Sequence, residues 1–155
     1  MEKTNAMRKL SSLKITYKEY EFEAKEAVSG TEVAKIIGKD PARVFKTLVT
    51  TGKTGTHYVF MVPVAEELDL KKAALAVGEK SIEMLKSKDL LSLTGYVHGG
   101  CSPVGMKKLF HTTIHSTAED FETMIFSGGR IGCQIELNLD ALSKAITFEL
   151  ADIIK

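Results

Sequence analysis

Hydrophobic and polar positions change period several times along this chain. Thr4 precedes a short stretch in which Met7 and Leu10 fall on one helical side, so a capped helix is predicted there. From Lys14 to Phe22 the run "KITYKEYEF" alternates as a half-buried strand does. The spacing Ser29-x-x-Glu32 then fits a capping box, "EVAKII" supplies an apolar stripe, and Gly38 provides a stop. Asp40-Pro41 predicts a short helical turn, because proline at the first helical position gives up no needed donor.

From Val44 the period shortens to two. "VFKTLVTT" and "HYVFMVPV" are β-branched and aromatic runs joined by "GKTG", which predicts a hairpin at the centre of a sheet. "LDLKKAALAVG" predicts a helix ending at Gly78, and capped segments at Ser81 and Asp89 extend the helical stretch to Leu93. After a glycine-rich loop come a predicted strand from Lys107 to Ile114 and a helix capped at Ser116 with Glu119 three residues on. Strands are predicted around "TMIFSGG" and "GCQIEL", and a closing helix after Asn138. No repeat, low-complexity segment or linker interrupts this order. The expected fold is therefore α+β, one domain over residues 1–155, with a mixed, mostly antiparallel, curved and barrel-like β-sheet flanked by helices.

Composition narrows the function. With 21 Lys and Arg against 20 Asp and Glu, the net charge of +1 gives no whole-protein field for a polyanion, so any nucleic-acid contact must be local. "MEKTNAMRKL" lacks the apolar core of a signal peptide, and no apolar run approaches a membrane span of roughly 18 residues. A soluble, cytoplasmic protein is expected. Two cysteines, Cys101 and Cys133, are too few for a disulfide framework.

Three places carry candidate chemistry. In "VFKTLV" both strand faces are apolar except at Lys46, which shares its side with Val44 and Leu48. Its stem can pack on the sheet while the ammonium reaches solvent, or it can act as a fixed cation on a pocket floor, holding a phosphate or a polarised oxygen. The loop "HGGCSPVG" can bring main-chain amides close to a ligand, or can simply turn. "FSGGRIG" repeats the theme of a serine with paired glycines. Cys101 with His98 could be a thiolate and its base, but no third group orients the imidazole. A zinc reading would recruit His98, Cys101, His111 and His115, yet none of these shows a paired ligand spacing. Cys133 reads as a small core residue. No carboxylate pair is spaced for general acid–base work. An enzyme built from these parts works by positioning and oxyanion stabilisation, with a nucleophile brought by water or by the substrate.

"VFKTLV", "TGYVHGGCSPVGMKK" and "FSGGRIGCQIEL", in this order and spacing, resemble the YbaK/EbsC family of bacterial aminoacyl-tRNA deacylases, which is related to the editing domain of bacterial prolyl-tRNA synthetases. Within it, the chain is most similar to the free-standing Cys-tRNA(Pro) deacylase branch. The resemblance implies hydrolysis of cysteine from mischarged tRNA(Pro), with no metal or cofactor. It places Lys46 at the 3′-terminal nucleotide, and Gly99, Gly100, Ser102 and Pro103 at the aminoacyl ester. Ser127, Gly128 and Gly129 then belong to the same pocket, with Tyr20 associated and Cys101 as a wall. The implied nucleophile is the substrate's own thiol, which forms a cyclic thioester that water opens. The implied partners are the acceptor end of aminoacyl-tRNA and prolyl-tRNA synthetase, in a complex that would supply tRNA selectivity. This chain departs from the family pattern at His98 and Cys101, usually aliphatic, and carries Cys133-Gln134 where a Leu-Asp pair is usual; Glu136 or main-chain carbonyls would then have to meet the substrate ammonium. The alternatives are a non-catalytic module binding the tRNA end or a nucleotide, a Cys101/His98 thiol hydrolase, and a deacylase for another small amino acid such as alanine.

Overall fold

The Thr4 side chain accepts the Met7 amide at 3.1 Å and starts α1 (Asn5–Ser12), whose Ala6, Met7 and Leu10 are buried. This helix and all other elements come from a computed structural model that describes residues 2–155. Lys14, at φ 58°, ends the helical path, and the following strand β1 spans only Lys18–Glu21. It is shorter than the alternation from Lys14 to Phe22 predicts, because its partner strand pairs only with residues 18–21.

Ser29 caps α2 (Gly30–Ile36), and Asp40 caps a 3-10 turn over Pro41–Arg43, both as the capping residues predict. The hairpin forms from β2 (Phe45–Gly52) and β3 (His57–Pro63). Helix α3 (Leu70–Val77) is capped by Asp69 and stops at Gly78, which adopts φ 75°. The predicted helix at Ser81 is instead a strand, β4 (Ile82–Met84), which pairs with Thr50–Gly52. The seven residues between Gly78 and Lys86 leave no room for a stable helix, and the outer edge of β2 offers unpaired groups, such as the Val49 carbonyl that accepts from Leu85 at 3.0 Å.

Helix α4 (Ser87–Thr94) begins without a side-chain cap and ends at Gly95, so Asp89 lies in its first turn and is not the cap that the sequence predicts. Strand β5 covers only His111–His115, and Ser116–Asp120 is a 3-10 turn rather than an α-helix. Strands β6 (Met124–Ser127) and β7 (Cys133–Leu137) precede α5 (Leu139–Ser143), capped by Asn138, and β8 (Phe148–Ala151). Strand β8 was not anticipated, since a parallel neighbour is recognised only through its partner β5.

The α+β class is as expected. Among the described residues four of the six strand pairings are antiparallel, while β3–β5 and β5–β8 are parallel. The barrel-like expectation is corrected. There are two open sheets, β1-β7-β6 and β4-β2-β3-β5-β8, joined by a parallel bridge between Val44 and Ile125. No helix among the described residues is long and apolar enough to cross a membrane.

Alternation divides the chemistry between faces. One face of the small sheet sends Met124, Phe126, Cys133, Ile135 and Leu137 into the main core with α1. The opposite face carries Tyr20, Gln134 and Ser127 in one cross-strand row, with Glu136 two residues on. That polar face looks toward the start of β2, and the site lies between them.

Candidate functional site

The cavity between the sheets has a volume of about 260 Å³ and is walled by the first turn of α2, by Phe45 to Leu48 of β2, by the 98–101 loop, and by Ser127 and Gln134. Lys46 is one of its lining residues. Its stem is half-buried, and among the described residues its ammonium has neither an ion-pair nor a hydrogen-bond partner. An unpaired cation beside a cavity can receive an anion.

The glycine loops meet the cavity unequally. Gly99 lines it at φ 86°, and a Cβ there would sit 2.6 Å from that of Ala27, so no other residue fits. Gly100 sits behind it against the second glycine loop, where a Cβ would lie 2.9 Å from the Arg130 Cα. The Gly100 amide donates to the Val97 carbonyl at 2.9 Å, which revises the expectation that it points at a ligand. Among the described residues no main-chain acceptor takes the Gly99 or Cys101 amides. In the second loop, Gly128 donates to the Cys133 carbonyl at 3.0 Å and Gly129 to Ser127 Oγ at 3.2 Å. That loop therefore offers the pocket the Ser127 hydroxyl rather than amides.

Ser102 and Pro103 lie away from the cavity. The Ser102 hydroxyl is fully buried and accepts from the Val104 amide at 3.3 Å, while Pro103 lines a separate cavity with Lys9 and Ile146. Both shape the loop rather than touch the pocket.

Tyr20 is also outside the lining. Its hydroxyl donates to the Glu136 carboxylate, which takes a second hydrogen bond from Thr123 and an ion pair from Arg43 at 2.9 Å. Glu136 is thereby engaged on both oxygens and is not the spare carboxylate that a substrate ammonium would need; Gln134 takes the pocket-lining position instead. Burial works to raise the Glu136 pKa, but the Thr123 and Tyr20 hydroxyls and the Arg43 charge outweigh it and hold the carboxyl below its ordinary range. The folded state thus binds fewer protons here. Its contribution is complete above the unfolded value of about 4.3 and disappears as pH falls through the native value. Glu136→Gln is expected to lower stability by roughly 1–3 kcal/mol at pH 7 and progressively less toward pH 3, so that urea midpoints of the two proteins converge in acid. A difference that stays constant with pH would show that the ionised carboxyl contributes nothing.

Cys101 lines the cavity wall but is 7% exposed. Burial pushes its thiol up to about 12. Such a thiol is ionised to roughly one part in 10⁵ at neutral pH, and no hydrogen bond joins it to His98, which lies exposed at the rim. The thiol-hydrolase reading therefore lacks both its thiolate and its base. Cys133 is fully buried in the main core, as its sequence context predicts. The zinc reading also fails geometrically: among the described residues no three His, Cys, Asp or Glu side chains gather into a metal site, and His115 is buried with Nδ1 accepting from the Ile153 amide at 3.3 Å.

Sequence reasoning missed the α2 wall, Gln134 and Thr47. Thr47 lines the cavity, and its hydroxyl is buried without a partner. The signal available was its place next to Lys46 on a strand whose outer edge, before Thr50, has no β4 partner.

The family model of the aminoacyl-tRNA editing domain matches residues 24–145. A protein of Enterococcus faecalis, EbsC, named for an inferred Cys-tRNA(Pro)/Cys-tRNA(Cys) deacylase activity, is 45% identical over 153 residues, covering 98% of this chain and 93% of its own. A proline–tRNA ligase of Thermosipho melanesiensis is 30% identical over 78 residues, which is 50% of this chain and 14% of the ligase. Two solved structures share the fold. One, described as an inferred trans-editing enzyme for prolyl-tRNA synthetase, superposes with a TM-score of 0.80 at 24% identity, covering 90% of this chain and 87% of its own. The other, the hypothetical protein APE2540, has a TM-score of 0.86 at 18% identity, covering 97% and 99%.

Proposed function

Because this chain belongs to the aminoacyl-tRNA editing domain family, we propose that it is a trans-editing deacylase that hydrolyses the ester of Cys-tRNA(Pro), and of Cys-tRNA(Cys) where presented. The observation that carries this reading is a small cavity with a free cation and unpaired main-chain amides but no activated protein nucleophile. At about 260 Å³ the cavity has room for an aminoacyl group.

Lys46 would hold the terminal nucleotide, and the Gly99 and Cys101 amides would receive the carbonyl oxygen as it gains negative charge. Inside, the substrate's thiol loses its proton and its sulfur attacks the ester carbonyl. The carbon–oxygen bond to the ribose breaks, the 3′-hydroxyl takes a proton, and water opens the resulting cyclic thioester to free cysteine. Tethering supplies a high effective molarity, partly offset by the strain of a four-membered ring. Ser127 and the Gln134 amide oxygen are the cavity's neutral partners for the substrate's amino group. A complex with prolyl-tRNA synthetase would supply the choice of tRNA, since the near-neutral chain reads only the acceptor end.

The test is release of labelled amino acid from Cys-, Ala- and Ser-tRNA(Pro). The wild type and Cys101→Ala are both expected to release cysteine at comparable rates, within about threefold, and to leave alanine and serine in place. Loss of turnover in Cys101→Ala would restore the protein thiol as nucleophile, and equal release of alanine would replace substrate-thiol attack by water.

A further inference from the structure

Lys46 and Leu48, two residues apart on one face of β2, line a second cavity as well as the first. This cleft, about 620 Å³, is bounded by the segment from Glu67 to Lys71, by Met84 of β4, and by Lys155. Its volume lies within the roughly 300–1,000 Å³ of ligand sites. We propose that it binds the single-stranded nucleotides that precede the terminal adenosine of the substrate, so that the acceptor end enters along the cleft and turns over Lys46 into the reaction cavity. The proposal rests on the deacylase reading for its substrate.

Charge and apolar surface both fit a phosphodiester chain. The cleft holds three lysines and two carboxylates, but the carboxylates are occupied. Glu67 pairs with Lys155 at 3.1 Å, and Asp69 accepts the Lys71 and Lys72 amides at 2.9 and 3.0 Å to cap α3. Lys46 and Lys71 have no carboxylate partner among the described residues, which leaves two cations for successive phosphates. Leu70 and Met84 are 39% and 46% exposed on the same walls, apolar surfaces on which base faces can rest. Two of the chain's unpaired cations thus lie where the chain of phosphates would leave the cavity.

Lys71→Ala and Met84→Ala alter exposed side chains and should fold as the wild type does. On Cys-tRNA(Pro) each is expected to raise KM about 3- to 10-fold with kcat unchanged, and neither should affect 3′-cysteinyl-adenosine, which lacks the preceding nucleotides. Lys71→Ala should also flatten the dependence of log kcat/KM on log salt by roughly 0.7, the loss of one single-strand phosphate contact. Equal losses on both esters, or none on tRNA, would overturn the proposal. If the wild type cleaved neither ester, the deacylase reading would fail separately, and binding of a fluorescent CCA trinucleotide against adenosine 5′-monophosphate would decide the cleft. Selective weakening of the trinucleotide by Lys71→Ala supports it; parallel or absent weakening refutes it.

Discussion

Replacing Lys46 by methionine is expected to lower kcat/KM on the aminoacyl ester by about 10–150-fold, the equivalent of a charged hydrogen bond worth about 1.5–3 kcal/mol. The melting temperature should stay level or rise slightly. The two readouts separate because the ammonium contributes no ion pair or hydrogen bond to the fold, whereas its half-buried stem packs on the sheet. Methionine keeps the packing of the stem and removes only the charge. Lys46→Arg should recover only part of the rate, since a planar fork does not reproduce a compact point charge. Unchanged deacylation by Lys46→Met at subsaturating tRNA would remove Lys46 from the site.

Gly100→Ala should damage stability and activity together. The new methyl would meet the Arg130 Cα at 2.9 Å, its carbonyl carbon at 3.0 Å and the Ile131 amide nitrogen at 3.0 Å, all main-chain atoms that cannot rotate aside. The two glycine loops must then separate, which costs about 1–3 kcal/mol by the usual scale of overpacking and lowers the melting temperature by roughly 3–10 °C for a domain of this size. Because Gly99 and Ser127 line the cavity from these same loops, deacylation should fall at least tenfold even well below the transition. A variant with native melting temperature and native turnover would show that the loops do not need their close contact.

Local signals were legible at several helix starts, where a residue acts on its own neighbours, but not at Ser81, Asp89 or Ser116. Thr4, Ser29, Asp40 and Asn138 each cap the turn that follows them, and the hairpin around "GKTG" forms as expected. Ile82 to Met84 carry no comparable signal. They become a strand because β2 has an open edge there, and β8 exists only through its parallel pairing with β5.

The candidate site divides in the same way. Lys46 stood out as a charge on an otherwise apolar strand, and the paired glycines as close-approach backbone, because both oddities are visible without knowing any neighbour. Which groups face the cavity depended on distant contacts. Glu136 was open as a substrate partner until Tyr20, Thr123 and Arg43 converged on it, and Gly100 until its amide closed a turn onto Val97. Cys101 could be a nucleophile or a pocket wall in sequence, and the packing of Val49, Val59 and Tyr96 around it favours the wall.

The sequence by itself determined the α+β class, the helix starts at Thr4, Ser29 and Asn138, the central hairpin, the family, and the absence of a paired metal-ligand spacing, since each depends on residue types at short, fixed separations. Only the tertiary structure decided which amides stay unpaired, which thiol is desolvated, and that Lys46 joins two cavities. Those properties depend on what packs against a group, and packing partners here come from positions tens of residues away.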